Sequence, residues 1–330
     1  MNAVDKITPD DPRIQWKTAN LNGKTYEYLL AEPTGSITNT IFLIHGWPDL
    51  AFGWRYQIPC LLSLGYRIVA PNMMGYGGTD APESPEFYTC KRACDDLSIL
   101  VSHLGLNKIV IGGHDWGGAV VYRFALRYPS LTSKFFVICT SFIPPTKEHL
   151  SLTNLPNFKY QLQLGGPEVE QFIVDEEKMK QFLSGIYGGI TPTGKYIFSP
   201  SHGVHLDRLK LIGPPSLLSD TELNFYVKSY MRNGIRGSLN WYRTDMLNYE
   251  DEKEMANNMK PGPLFNMPAL YIACSNDSVL SPSLSEGMDI WFKNLKRAEV
   301  PSAHWAMVEK SLEVNQCIKE FLCEGNKALL

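Results

Sequence analysis

The sequence predicts an α/β fold: a mostly parallel central sheet flanked by helices, interrupted by an inserted helical unit. Three observations carry this. Short strand-like runs at Thr40–Ile44, Arg67–Ala70, Lys134–Cys139 and Ala269–Cys274, apolar for the most part, and a more polar one at Lys296–Val300 alternate with helix-length segments, the pattern of parallel strands joined by crossover helices. A further run, Ile109-Val110-Ile111, opens into Gly112-Gly113-His114-Asp115-Trp116-Gly117-Gly118, and a helix-compatible stretch from Ala119 to Tyr128 follows before Pro129. Strand, sharp turn and helix are thus written in order. From Pro144 to about Glu250 the strand runs vanish, and helix-like segments broken by Gly and Pro take over, rich in tyrosine (160, 187, 196, 226, 230, 242, 249).

Taken in order, residues 14–18 and 24–31 read as a pair of strands joined at Asn22-Gly23, a hairpin signal. Thr40–Ile44 is apolar throughout, as a strand buried on both faces should be, and it runs into His45-Gly46-Trp47-Pro48-Asp49. Ser311–Leu322 closes the chain as an amphipathic helix. The expected division is core at 1–142, a helical lid at 143–250 and the remainder of the core at 251–330.

Composition narrows the partners. The 330 residues are 44% hydrophobic and 20% charged with net charge −3, and no Lys/Arg cluster exceeds a pair such as Lys91-Arg92. A nucleic-acid or anionic-membrane footprint is therefore missing, and a small neutral molecule is the expected partner. The seven cysteines form no disulfide framework, and Cys139 and Cys274 lie in apolar runs as reduced thiols. Cys90 and Cys94, with His103 beyond, lack a second ligand pair, and His202 and His205 read as a solvated loop, so neither metal nor cofactor is expected. Met1–Arg13 has no apolar core, no span of about 18–20 apolar residues occurs, and the final Lys327-Ala328-Leu329-Leu330 is not a peroxisomal signal. A cytoplasmic location is expected. Oligomeric state is not specified.

The chemistry centres on Asp115. Glycines at 113 and 117 suit a turn too tight for Cβ atoms, a nucleophile elbow that holds residue 115 at the end of the sheet. A carboxylate there, unlike serine, is already ionised near neutrality and is suited to attack a saturated carbon bearing a leaving group. The product is an ester of the enzyme itself, so turnover needs a water, a base and donors for an oxyanion. Taken alone, the stretch also reads as a Gly-rich turn with an Asp capping a helix.

Loops at the carboxyl ends of the strands supply the remainder: Trp47, Asp115, Asp277 and His304. In chain order this is nucleophile, acid, histidine, the order of an α/β-hydrolase. His304 is the candidate general base and Asp277 the carboxylate that orients it; Asp49, Asp80 and Asp245 are weaker candidates for that acid. The backbone N–H groups of Trp47 and Trp116 are the candidate oxyanion hole, while His45 and His114 are expected to hold loops.

Several motifs together resemble one family. His45-Gly46-Trp47-Pro48-Asp49, Trp54-Arg55-Tyr56-Gln57-Ile58-Pro59, Gly65-Tyr66-Arg67, Gly75-Tyr76-Gly77 and Gly113-His114-Asp115-Trp116-Gly117-Gly118 are similar to the soluble-type epoxide hydrolases of the α/β-hydrolase superfamily. Phe158-Lys159-Tyr160-Gln161-Leu162 and Leu239-Asn240-Trp241-Tyr242-Arg243 resemble the segments carrying that family's two lid tyrosines. The resemblance runs from about residue 14 to the last helix, and it implies a compact member without a phosphatase-like domain or membrane anchor. Trp47 and Asp49 stand where many relatives have Phe and Glu, and Asn72 where relatives often have Asp.

The resemblance implies Tyr160 and Tyr242 as proton donors to an epoxide oxygen. Opening the ring expels an alkoxide, a poor leaving group, and a phenol with pKa near 10 stays protonated at neutral pH to meet it. A halide leaves unaided by protons. Haloalkane dehalogenases share the Asp elbow but offer a donor such as Asn where Trp47 stands, and fluoroacetate dehalogenases carry Arg at the place of Trp116. The expectation is hydrolysis of a small apolar epoxide to a vicinal diol through an alkyl-enzyme ester on Asp115, with Phe142, Phe158 and Trp305 lining the pocket. The alternatives are a dehalogenase-like hydrolase, or an epoxide-opening cyclase or binding protein on the same scaffold.

Overall fold

The computed structural model describes residues 4–154 and 158–324. By contact the chain forms two units, one of residues 1–73, 93–143 and 260–330, the other of 74–92 and 144–259.

The first unit is built on an eight-stranded sheet. Its strands are β1 (Ile14–Leu21), β2 (Lys24–Ala31), β3 (Asn39–Ile44), β4 (Tyr66–Pro71), β5 (Ile109–His114) and β6 (Thr132–Ile138), then two late strands at Ala269–Cys274 and Leu295–Val300. The spatial order is β1-β2-β4-β3-β5-β6 followed by the two late strands. Only β1–β2 and β2–β4 pair antiparallel; the pairs from β4–β3 onward are parallel. The expected fold class holds. Asn22 (φ 49°) and Gly23 (φ 73°) both occupy the left-handed region, the conformation that lets two residues close the β1–β2 hairpin. Every residue of β5 and of Ala269–Cys274 is buried, as central parallel strands require, whereas the edge strand Leu295–Val300 alternates.

Helices α1 (Gln57–Ser63), α2 (Cys90–His103) and α3 (Trp116–Arg127) are interleaved with these strands in the chain. The closing helix, Ser311–Cys323, buries Val314, Ile318, Phe321 and Leu322, the stripe its sequence periodicity predicts. Asn72, at the departure from the family pattern, accepts from Ala51 N–H at 2.9 Å and donates to Glu27 Oε2 at 2.7 Å, which ties the end of β4 to the 3₁₀ turn Ala51–Trp54 and to β2.

The second unit is mostly helical: α4 (Tyr160–Gly165), α5 (Glu168–Phe172), α6 (Glu176–Ile186), α7 (Asp220–Met231), α8 (Arg236–Leu239) and α9 (Asp245–Asn258), with a small ribbon pairing Phe198–Ser199 to Gly203–Val204. Ser219 and Glu222 form a capping box at the start of α7. Residues 74–92, assigned to the core in the sequence reading, cluster with this unit for visible reasons. Trp241 Nε1 donates to Met74 O at 3.0 Å, Asn233 Nδ2 to Gly77 O and Thr79 O, and Asn240 Nδ2 to Pro82 O and Glu83 O. Among the described residues no helix is long and apolar enough to cross a membrane.

Candidate active site

The sheet reverses direction beside β3: β4 lies on one side of it and β5 on the other. Loops leaving the carboxyl ends of β3 and β5 diverge there and leave a crevice, the usual ligand position in open α/β sheets. Trp47 follows β3, and Asp115 follows β5. Asp277 and His304 follow the two late strands.

Asp115 sits at φ 54°, ψ −124°, a strained conformation for a residue with a side chain. The elbow can be this tight because glycines flank it. A Cβ on Gly113 would run into the backbone of Gly117, and one on Gly117 into the carbonyl of Ile44. Helix α3 begins at Trp116, earlier than the Ala119 start the sequence suggested, despite the poor helix propensity of glycine. Amides of Gly118 and Ala119 donate to Asp115 O at 2.9 and 3.3 Å, and Thr140 Oγ1 donates to the same oxygen at 2.7 Å. Thr140 carries no sequence signature of this role.

The carboxylate is buried and its two oxygens differ. Oδ1 accepts from Trp47 N–H at 2.7 Å, and Oδ2 lies 3.8 Å from His304 Nε2. Burial raises the Asp115 pKa, opposed by His304 and by the backbone amides of Trp47 and Trp116. His304 Nδ1 meets Asp277 Oδ2 at 2.8 Å. Desolvation works against charge on His304, but Asp277, by charge and hydrogen bond, together with Asp115, outweighs it and lifts the imidazole to about 9. Burial likewise opposes charge on Asp277, yet His304 and the amides of Leu280 and Val279 hold it well below the ordinary carboxylate range. The sequence-chosen trio, with Trp47, thus converges in one unit.

Neighbours brace this arrangement. His45 Nδ1 donates to Gly46 O at 2.8 Å and Nε2 accepts from Met73 N–H at 3.0 Å, so one tautomer is fixed; burial pushes its pKa to about 4. His114 Nε2 donates to His304 O at 2.8 Å, and burial with the nearby His304 pushes it to about 3. Glu309, which sequence reasoning missed, accepts from Ala303 N–H and Trp305 N–H at 2.9 and 3.0 Å, on either side of His304. Trp305 packs its ring edge-on to His304 at 5.2 Å.

His114, Cys139 and His304 bring possible metal-ligand atoms within 4.8 Å of one another. His114 Nε2 and His304 Nδ1 are engaged in hydrogen bonds, and burial raises the Cys139 thiol well above its usual range, which disfavours the thiolate a metal ion would need. Of the weaker acid candidates, Asp49 Oδ1 accepts from Leu50 N–H and Asp245 pairs with His149 at 2.8 Å.

Within the second unit, Tyr160 opens α4 and Tyr242 lies in the 3₁₀ turn Asn240–Arg243. Both are buried, with ring centroids 6.0 Å apart at 75°. Phe158 and Phe198 flank Tyr160 at 6.5 and 5.4 Å. Gln161 Nε2 donates to Tyr160 Oη at 3.3 Å. Phe142, expected at the pocket, packs in the first unit against Tyr122, Phe265 and Phe292 at 5.2, 4.9 and 5.9 Å. That is core packing.

Comparison with known proteins follows the same lines. A family model described as the alpha/beta hydrolase fold matches residues 39–180. Epoxide hydrolase srdG of Neurospora crassa is 38% identical over 336 aligned residues, covering 96% of this chain and 98% of that protein. Bifunctional epoxide hydrolase 2 of Sus scrofa is 32% identical over 292 residues and 86% of this chain, which spans 51% of its length. The crystal structure of epoxide hydrolase A from Mycobacterium thermoresistibile matches with a TM-score of 0.79 at 28% identity, covering 94% of this chain and 98% of that one. An Asp elbow on a mostly parallel sheet, and whole-length similarity to an epoxide hydrolase, lead to one assignment: the chain belongs to the epoxide hydrolases of the α/β-hydrolase fold and is an enzyme of that kind.

Proposed function

We propose that the enzyme hydrolyses a small apolar epoxide to a vicinal diol through an ester on Asp115, with Tyr160 and Tyr242 of the helical unit acting as a lid that donates the proton. Asp115 Oδ2 attacks a ring carbon; the C–O bond breaks, and the departing oxygen takes a proton from a phenol. His304 then removes a proton from water as the water attacks Asp115 Cγ. The oxyanion forms on Oδ1, where the Trp47 and Trp116 amides are disposed to receive it. On collapse the Cγ–Oδ2 bond breaks and the departing oxygen takes the proton held by His304, while the proton left on the new Asp115 carboxylic acid returns to the phenolate, so the diol carries an oxygen of the enzyme.

The observation that carries the reading is the asymmetry of the Asp115 carboxylate, Oδ1 on the Trp47 amide and Oδ2 towards His304. Esterification also removes the Asp115 charge, one of the causes that keeps His304 protonated. The base is thereby released at the step that needs it. The apolar character of the substrate is argued from Phe158 and Phe198 beside Tyr160 and from Trp305 beside His304.

The test is His304→Gln with a panel of aryl, fatty-acid and terpenoid epoxides, read by intact mass. An accumulating adduct on Asp115 is expected, and single turnover of the unaltered enzyme in labelled water should give a diol without the label. Absence of adduct with epoxides the parent enzyme hydrolyses overturns the covalent scheme. Halide release from simple haloalkanes, or a cyclic ether as product, would redirect it to the dehalogenase-like or cyclase alternative.

A further inference from the structure

We propose that Arg243 is a positioning residue for the ring-opening step, fixing the spacing of the two phenols by tying the helix that carries Tyr160 to the turn that carries Tyr242. The inference rests on the reading of those phenols as proton donors.

The guanidinium reaches four partners in three elements. Its Nε donates to Gly165 O at 3.0 Å and Nη2 to Gly166 O at 3.1 Å, at the end of α4, the helix that Tyr160 begins. Nη1 donates to Asn240 Oδ1 at 2.7 Å within its own turn, and Nη2 to Glu170 Oε2 at 2.8 Å in α5. Glu170 also accepts from Arg236 Nη1 at 2.6 Å, in the short helix that leads into the turn. Burial resists charge on Glu170, but the two arginines prevail and lower its pKa. The side chains of Arg243 and Glu170 are 17% and 25% exposed, shielded enough for charge-assisted bonds to hold a fixed geometry.

The backbones meet at the same place. A Cβ on Gly165 would press on the carbonyl oxygen of Tyr242, so only glycine lets the end of α4 lie against the turn. Arg243 is therefore bonded covalently to one phenol-bearing residue and hydrogen-bonded to the far end of the other's helix. A planar fork satisfies these directions together; a lysine ammonium, a point charge on a flexible stem, does not. Two donors aimed at a single oxygen tolerate little error, and a displacement of about 1 Å can cost on the order of 100-fold in rate.

The experiment uses the full chain with Arg243→Lys and Glu170→Gln, each alone and combined with Tyr242→Phe, and follows ester formation and ester decay separately in single turnovers. Arg243→Lys should slow ester formation by about 10- to 100-fold and leave ester decay unchanged, with Glu170→Gln milder in the same direction. Added to Tyr242→Phe, Arg243→Lys should cost much less than it does alone, because it acts through that phenol. Equal slowing of both half-reactions, full additivity, or no effect from either single variant overturns the proposal. If Tyr160→Phe and Tyr242→Phe leave ester formation intact, the phenol reading itself fails, and that outcome is distinguished because it needs no Arg243 variant. Should Arg243→Lys not fold, Glu170→Gln carries the test.

Discussion

His114 and His304 are joined through the backbone: Nε2 of the first donates to the carbonyl of the second at 2.8 Å, and their rings lie 4.9 Å apart. The residue before Asp115 thus holds the loop that bears His304, although 190 positions separate them. A buried carbonyl deprived of its donor costs about 1–3 kcal/mol. His114→Phe should lose stability of that order in urea unfolding and slow ester decay more than ester formation. Unchanged stability together with unchanged ester decay would mean that His114 does not anchor His304.

The pH response follows from the charges around the base. In the free enzyme His304 titrates at about 9, raised by Asp277 and Asp115 against the opposing effect of burial. Below that value it is protonated and cannot accept a proton from water; above it, it can. Asp115→Asn removes one anion and imitates the esterified state, so the His304 ring should titrate below about 9 in that variant, read from imidazole NMR shifts. Ester decay should accordingly rise with pH through a midpoint below that of the free enzyme. A midpoint at or above 9 would contradict the release of the base on esterification.

Gly117 tests the elbow by itself. An added Cβ meets the Ile44 carbonyl, a backbone atom that cannot step aside. Gly117→Ala should lose stability by about 1–3 kcal/mol or more through overpacking, measured by urea unfolding, whereas Gly105→Ala, where a Cβ meets open space, should lose less and only through its positive φ.

Gln161 distinguishes donation from acceptance at Tyr160. Its amide N–H donates to Tyr160 Oη at 3.3 Å, which stabilises negative charge growing on that oxygen as its proton departs. Gln161→Glu replaces the donor with an acceptor that holds the phenolic proton back, so it should slow ester formation more than Gln161→Ala does. Ester formation faster in Gln161→Ala than in the unaltered enzyme would show that the amide accepts.

Much of the fold and of the candidate site is legible in the sequence. Asp115 and Asp277 stand out because each follows an apolar strand run, and His304 because it follows a strand-like run later in the chain; a parallel sheet brings such loop ends to one side. The hairpin at Asn22-Gly23 was readable because its backbone demands φ > 0, which few residue types supply. Thr140, Glu309 and Arg243 left no such trace: each works through a backbone amide or carbonyl, and any carbonyl in the chain offers the same chemistry. Phe142 is less legible for a related reason: an aromatic after a strand reads the same whether or not its ring also joins a cluster such as that with Phe265 and Phe292. The start of α3 was set late because glycine propensity hid the amides that fold back onto Asp115.

Under the proposed ester mechanism, the unequal footing of the two Asp115 oxygens would make the carboxylate a one-sided exchanger. If the Trp47 amide keeps its grip on Oδ1, every cycle surrenders the oxygen at the other position and refills that position alone. After prolonged turnover in heavy-oxygen water, the peptide containing Asp115 should then hold a single heavy atom, the original Oδ1 having never left; a second would record how often the side chain flips.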